Sequence, residues 1–436
     1  MKSAAICLLA ASSSLAAVLP GPPVQVPLGG GLNPTSHSHH GSHSAEDDAQ
    51  QSFIDSWLET LQPVKDSITS VIDTATDELA SATSTLNGFK DDMFRKLQDA
   101  SDQANREFPD LTIYQLIQLS NHTKKFVKAL DKFPDVVKIL NGTEANHTLF
   151  VPIDEAFEHL PHHEPPSNEF IEAALKYHIG VGNYAVPRLL STNTLPTAYN
   201  EKGLGGEPQR LRTRVSLAGV TVNFYSKVVA ADIAAKNGII HAVRHILVPP
   251  PPLGPILALD PSRFSTLLLA YQKTDFVKYV HGLKINGSTL FAPDNEAFAA
   301  LGPRANAFLF NTEKGLKYLD ALLKYQIAPN ATLYTDAFYD KTGKEEKTET
   351  REEHYDLATL LPGANIGVDI KTIFGFKIYL INGFTKAKIE DVVGKNGVIQ
   401  VVNKVPIPPR NKHETEDAGG EIELEDLMER LAGYVE

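Results

Sequence analysis

Histidine changes charge near neutral pH and is the commonest metal ligand. This chain of 436 residues concentrates its 15 histidines in a few places. His37, His39, His40 and His43 crowd one stretch, His159, His162 and His163 precede Glu164, His178 follows Tyr177, and His241 and His245 stand four apart. A metal site needs ligands that converge and are oriented by partners of their own. The first group lies in a stretch with no hydrophobic period and reads as a solvated polar tract. The second sits between Pro161 and Pro165, lacks the His-Glu-x-x-His spacing, and reads as a turn. On a strand, side chains four residues apart share a face but stand roughly 13 Å from each other, too far for one ion. No metal site and no cofactor is expected. The sequence carries no phosphate-binding loop, nucleophile elbow or zinc-hydrolase motif. Cys7 is the one cysteine, so thiolate chemistry and disulfides are excluded from the body of the chain. No catalytic residue is assigned. A Ser-His-Asp site can still be assembled from distant positions, so a hydrolase stays open as the alternative to a non-catalytic chain.

Asparagine marks a second chemistry. Asn121, Asn141, Asn146, Asn286 and Asn330 each open an Asn-x-Ser/Thr sequon, and glycosylation at these positions requires surface backbone. It also requires the secretory route, for which the N-terminus supplies a signal. Met1-Lys2 leads into an apolar run ending at small residues before Pro20, the grammar of a signal peptide over 1–17. The run is short for a membrane span, and the acidic end, 410–436, has no apolar tail of the kind a lipid anchor needs. No membrane insertion of the mature chain is expected. A net charge of −12 and a pI of about 5.7 disfavour nucleic acid as a partner. These features point outside the cell or to its wall, with a vacuole lumen as the alternative address.

The elements that must position these residues come in duplicate. Thr148-Leu149-Phe150-Val151-Pro152 through Phe157 matches Thr289-Leu290-Phe291-Ala292-Pro293 through Phe298. Ala174 to Ile179 matches Leu322 to Ile327, and Asn237 to Val243 matches Asn396 to Val402. Blocks repeated in one order mean two copies of one domain, each ending in a proline run, and we place them at 108–249 and 253–409. Within each copy, apolar helices are expected near 111–119 or 265–280. A short strand follows, running into proline, then an Asp or Asn offering a helix cap before Ala-Phe. Next come the helix that carries Tyr177-His178 or Tyr325-Gln326, alternating strands, and an Asn-Gly turn into a last strand. Early helices and later strands argue an α+β domain. The second copy has about a dozen extra residues near 340–356, expected as a charged hairpin or loop. Residues 18–51, rich in Pro, Gly, Ser and His, have no hydrophobic period. Leu61, Val64, Ile68, Val71, Ile72, Leu79, Leu86, Phe89, Met93 and Leu97 follow helical spacing, so 52–107 is expected as an amphipathic helical segment packing on its own chain or self-associating. Ile422, Leu424, Leu427, Met428 and Leu431 predict one short amphipathic helix in the tail.

These blocks resemble the fasciclin domain family. Thr289 to Phe298 is similar to the family's first block, Tyr177-His178 to its central block, and Asn237 to Val248 to its closing block. The resemblance covers roughly 108–410 and implies two tandem fasciclin-like domains, each a mixed β wedge with layered helices. It implies adhesion or matrix association outside the cell, with an extracellular protein, a polysaccharide or the chain itself as partner, and no reaction. It also implies a partner-contact role for Tyr177 and His178, beside the plainer role of tying a helix to the core. Gln326, Gln400 and Lys404 replace His178, His241 and His245 in the second copy. If the Tyr-His block is adhesive, the first domain binds and the second is a spacer. Because the second copy carries Gln326, the exchange His178→Gln is expected to be tolerated by the fold.

Overall fold

The computed structural model describes residues 110–158, 166–216, 219–339, 345–346, 354–373, 376–409 and 421–435. The expected leader, the 18–51 stretch, the 52–107 segment, the His159–His163 cluster and most of the charged insertion lie outside the described residues.

The first copy opens with three short helices, Ile113–Leu119 (α1), Lys124–Leu130 (α2) and Pro134–Asn141 (α3). Strand His147–Pro152 (β1) leads to helix Asn168–Tyr177 (α4) and strand Ile179–Val181 (β2). A single turn, Val186–Leu189 (α5), precedes strands Thr194–Asn200 (β3), Pro208–Ser216 (β4), Gly219–Val222 (β5), Ser226–Ala235 (β6) and Gly238–Val243 (β7). The second copy repeats this order. Helices Leu253–Leu259 (α6), Pro261–Lys273 (α7) and Phe276–His281 (α8) precede strand Ser288–Pro293 (β8). Helices Asn295–Ala299 (α9), Pro303–Asn311 (α10) and Glu313–Tyr325 (α11) follow, then strand Ile327–Pro329 (β9). The helix expected over 265–280 is two, because Asp275 adopts φ 50°, outside helical geometry. The insertion begins as a two-residue ladder, Phe338–Tyr339 (β10) against Glu345–Glu346 (β11). Strands His354–Ala358 (β12), Asn365–Ile373 (β13), Phe376–Ile381 (β14), Thr385–Gly394 (β15) and Gly397–Val402 (β16) complete the sheet. The tail supplies helix Leu424–Leu431 (α12), with Leu427 and Leu431 in the second copy's core. The architecture is the expected α+β pair.

Each copy joins its first and last strands by one parallel pairing. β1 runs antiparallel to β2 and parallel to β7, and β8 has the same relation to β9 and β16. Strands first and last in sequence thus lie side by side. The first copy's seven strands close into a barrel, while the second copy's form a sheet ordered β12-β13-β14-β15-β16-β8-β9. β1 and β8 are buried along almost their whole length, which explains why Leu149-Phe150-Val151 and Leu290-Phe291-Ala292 read as unbroken apolar runs and not as alternation.

The Asn-Gly pairs hold this closure. Gly238 and Gly397 have φ of 149° and 150°, and a Cβ would lie 1.8 Å from the His147 carbonyl oxygen or 2.1 Å from that of Ser288. Only glycine allows the last strand to start against the first. The asparagines do more than make the turn. Asn237 Oδ1 accepts from the Ile113 N–H at 2.8 Å, and its Nδ2 donates to the carbonyls of Leu140 (2.9 Å) and Gly142 (2.6 Å), binding α1 and the end of α3 to the sheet. Asn396 Oδ1 accepts from Leu253 N–H at 2.9 Å at the start of α6.

One expected cap differs between copies. Asp294 caps α9 through the Ala297 N–H at 2.9 Å. The corresponding slot in the first copy is Ile153, which has no acceptor, and the Asp154 carboxylate turns to the N–H groups of Lys124 and Lys125 at the start of α2. Replacing Asn237 by Ala leaves one buried donor and two carbonyls unpaired. The first copy is expected to lose about 3 kcal/mol or more on the usual scale for unsatisfied buried groups, readable as a lowered denaturant midpoint.

Candidate functional site

Tyr177 ends α4, and His178 is its C-cap. Both are buried, at 0% and 1% exposure. The Tyr177 hydroxyl donates to the Arg210 carbonyl at 3.0 Å and accepts from Asn223 Nδ2 at 2.9 Å, while Asn223 Oδ1 accepts from the Arg212 N–H at 3.0 Å. The second copy repeats the clamp atom for atom. The Tyr325 hydroxyl donates to the Asn365 carbonyl at 3.1 Å, Asn382 Nδ2 donates to it at 3.0 Å, and Asn382 Oδ1 accepts from Gly367 N–H at 3.0 Å. Asn223 and Asn382 sit at φ 49° and 51°, the left-handed turn that asparagine tolerates. Residue type alone does not single out this pair. Its signal was there, since each asparagine lies 14 positions before its Asn-Gly.

His178 Nδ1 pairs with the Ala174 carbonyl at 2.7 Å, and its Nε2 accepts from the Leu247 N–H at 2.9 Å. Burial holds its pKa down at about 4, against a smaller upward pull from the Ala174 carbonyl. In the folded domain neither Tyr177 nor His178 offers surface to a partner. They strap the helix end to β4 and to the segment after β7, which is the plainer of the two roles.

The second copy explains its own departures. Gln400 reproduces His241. Its Oε1 accepts from the Asp391 N–H and its Nε2 donates to the Leu333 carbonyl, as His241 meets the Asp232 N–H and the Tyr184 carbonyl. Gln326 does not reproduce His178. The position matching Leu247 is Pro406, which has no N–H to give, and both polar ends of the buried Gln326 amide lack a partner among the described residues. Gln326 is therefore no precedent for an acceptor at this position, and His178→Gln keeps the fold only if the new amide oxygen takes the Leu247 N–H. His245 follows β7 and is not on it, so it shares no strand face with His241.

Asn121, Asn141, Asn146, Asn286 and Asn330 are all exposed. Asn286 and Asn330 adjoin, the Asn286 N–H donating to Asn330 Oδ1 at 2.9 Å.

A dense polar cluster joins the copies. The Asp336 carboxylate accepts from the N–H groups of Asn193 and Thr194 and from the Thr194 hydroxyl, each at 2.7 Å, with Arg210 Nη2 at 3.8 Å. Gln209 Nε2 donates to the Gly394 carbonyl and Arg212 Nε to the Glu390 carbonyl, both at 2.9 Å. The Gly287 N–H reaches the Gly203 carbonyl at 2.8 Å, and Gly203 approaches so closely that a Cβ would lie 2.6 Å from the Lys395 carbonyl oxygen. Asp391 is fully buried beneath this contact, bonded to the Thr335 N–H and hydroxyl and to Gln400 Nε2. Its equivalent, Asp232, caps Val186 in the same way but is exposed. Burial, then the charge of Asp336, raises the pKa of Asp391. Burial, then Asp391, lifts Glu390 to about 7 against the pull of Arg212 and Asn193.

The two titrations act in opposite directions. His178 has a folded pKa below its unfolded value, so its contribution is present above about 6.5 and is lost as pH falls toward 4. Glu390 is raised, so docking is strongest below about 4.5 and weakens as pH climbs to 7. Acid should lower the melting temperature of the first copy while tightening the junction. His178→Gln with Leu247→Pro should flatten the first effect and Glu390→Gln the second, checked by calorimetry between pH 4 and 8. Asp336→Ala removes the acceptor of two N–H groups and the carboxylate that faces Arg210, and is expected to weaken docking by roughly 3–5 kcal/mol and to split one thermal transition into two.

A fasciclin domain model matches residues 121–249 and 262–408. Aurofusarin biosynthesis cluster protein S of Gibberella zeae is 26% identical over 358 residues, covering 75% of this chain and 87% of that protein. Human periostin is 28% identical over 218 residues, and rat stabilin-2 is 29% identical over 198. The chain spans 22% and 13% of the length of those two. Among solved structures, a FAS1 domain pair from the insect cell adhesion molecule Fasciclin I aligns with 17% identity and a TM-score of 0.34, covering 67% of this chain and 98% of that one. With both stretches matched by the family model, the chain belongs to the fasciclin family as a tandem pair of fasciclin domains.

Proposed function

We propose that the chain is a non-catalytic extracellular binding protein that contacts a protein or a cell-wall or matrix glycan through the outer surface of a stiff domain pair. The observation that carries this reading is the junction. A carboxylate largely removed from water, Asp336, and a close glycine contact at Gly203 fix one copy on the other, so the pair presents a continuous surface. Tyr177, His178, Glu390 and Asp391, whose protonation the fold shifts, are each engaged inside a domain or the junction. A groove of about 660 Å³ on the second copy is lined by Lys273, Asp275, Lys317, Asp320, Lys324 and Tyr434 among others, and its lining holds no Ser or His. That chemistry suits holding a polar or anionic surface better than activating a nucleophile. The five exposed sequon asparagines suit a glycoprotein of the secretory route.

A second reading comes from the Gibberella zeae relative, whose name places it in a biosynthesis cluster and whose length this chain nearly spans. On that reading the partner is a biosynthetic enzyme, and the binding role itself is unchanged. The test uses the full chain, immobilised, against glycan arrays and separated secreted proteins, beside a panel of chromogenic esters and glycosides. Saturable binding without turnover is the expected result. Hydrolysis that one substitution in the chain abolishes would replace the binding reading with the hydrolase alternative.

A further inference from the structure

The two copies differ on one helix face. In the second copy, α11 is covered by α10 and α12. Tyr318, Leu319, Ala321 and Leu322 are 5%, 0%, 2% and 0% exposed, and the Phe308 ring packs edge-on to Tyr318 at 5.5 Å. α10 crosses so closely that a Cβ on Gly315 would lie 1.8 Å from the Phe308 carbonyl oxygen.

The first copy is seven residues shorter at this point. Phe298 to Tyr325 spans 27 positions, whereas Phe157 to Tyr177 spans 20, and the shortened stretch holds Pro161, Pro165 and Pro166. The residues matching the covered face are Phe170, Ile171, Ala173 and Ala174 on α4. Phe170 is 44% exposed, and the other three are half-buried. Ser167, an exposed helix cap, stands where Gly315 permits the crossing. Among the described residues, the first copy thus leaves an apolar face that the second copy buries with its own chain.

We infer that this face is the docking site of the chain's own segment 61–97, which covers α4 in the first copy as α10 and α12 cover α11 in the second. The segment has the required chemistry, since Leu61, Val64, Ile68, Val71, Ile72, Leu79, Leu86, Phe89, Met93 and Leu97 recur at helical spacing. Its reach is sufficient. Residues 98–110 connect it to α1, and about 13 residues extend to roughly 40 Å, comparable with the full width of a domain of about 140 residues. A covalent tether of this length also gives an effective concentration in the millimolar range, so an intramolecular partner outcompetes a second copy at ordinary protein concentrations. The second copy supplies the precedent within the same molecule, for α12 reaches its groove across the stretch 410–423.

Hydrogen exchange on the full chain tests the assignment. Peptides covering 61–97 should exchange at least tenfold more slowly than unstructured chain. Phe170→Asp, and more mildly Phe170→Ala, should release that protection while peptides from β7 keep theirs. Leu86→Asp with Phe89→Asp should do the same from the other side. Unprotected 61–97 in the parent chain would overturn the assignment, as would protection indifferent to both Phe170 variants while β7 stays protected. Protection that disappears on dilution would assign the face to a second copy and overturn it too.

Discussion

Hydrogen bonds from one copy converge on a single carboxylate of the other, and the molecule is a pair because of that convergence. Asp336 takes two backbone N–H groups and a hydroxyl from the start of β3. A carboxylate largely removed from water is tolerable only when its lone pairs are engaged and its charge is answered, and Arg210 stands close enough to answer it. Around this contact other groups acquire properties they would lack alone. Asp391 is a buried acid, whereas its exposed counterpart Asp232 performs the same capping in the open. Burial, and then the charge of its neighbour Asp391, lifts the pKa of Glu390 to about 7. The junction therefore turns two copies of an ordinary domain into a unit whose rigidity depends on pH.

Within each copy the organising constraint is the parallel contact between first and last strands. It brings the first block, the helix carrying the tyrosine and the Asn-Gly block of each repeat into one place, although the first and last of these stand 89 positions apart in one copy and 107 in the other. The Tyr–Asn clamp then ties the helix end to the strands beyond. That clamp is identical in both copies, whereas the histidine beside it is not. The difference is intelligible at the level of one hydrogen bond, since Leu247 has an N–H that needs an acceptor and Pro406 has none.

Much of this was legible in the sequence. The repeat blocks stood out because they encode the buried strands, where both faces are covered and substitutions are most constrained. The Asn-Gly pairs were legible as turns, though not as pins for α1 and α6, because that role needs a helix brought back from more than a hundred residues away. Burial of Tyr177 and His178 could not be read from residue types, since an aromatic and an imidazole serve a contact surface and a core equally well. The junction was the least legible element. It belongs to no repeat, for Asp336 matches Pro187, and Asp391 and Asp232 are the same residue in opposite environments. The helix expected over 265–280 divides in two because one left-handed residue, Asp275, interrupts an otherwise continuous apolar pattern.

The central claim, that the two copies move as one body, is tested most directly by the rotational correlation times of the two domains from backbone ¹⁵N relaxation at pH 6. One shared time, as expected for a particle the size of the pair, is the predicted result. Two distinct and shorter times, each appropriate to a single domain, would contradict it.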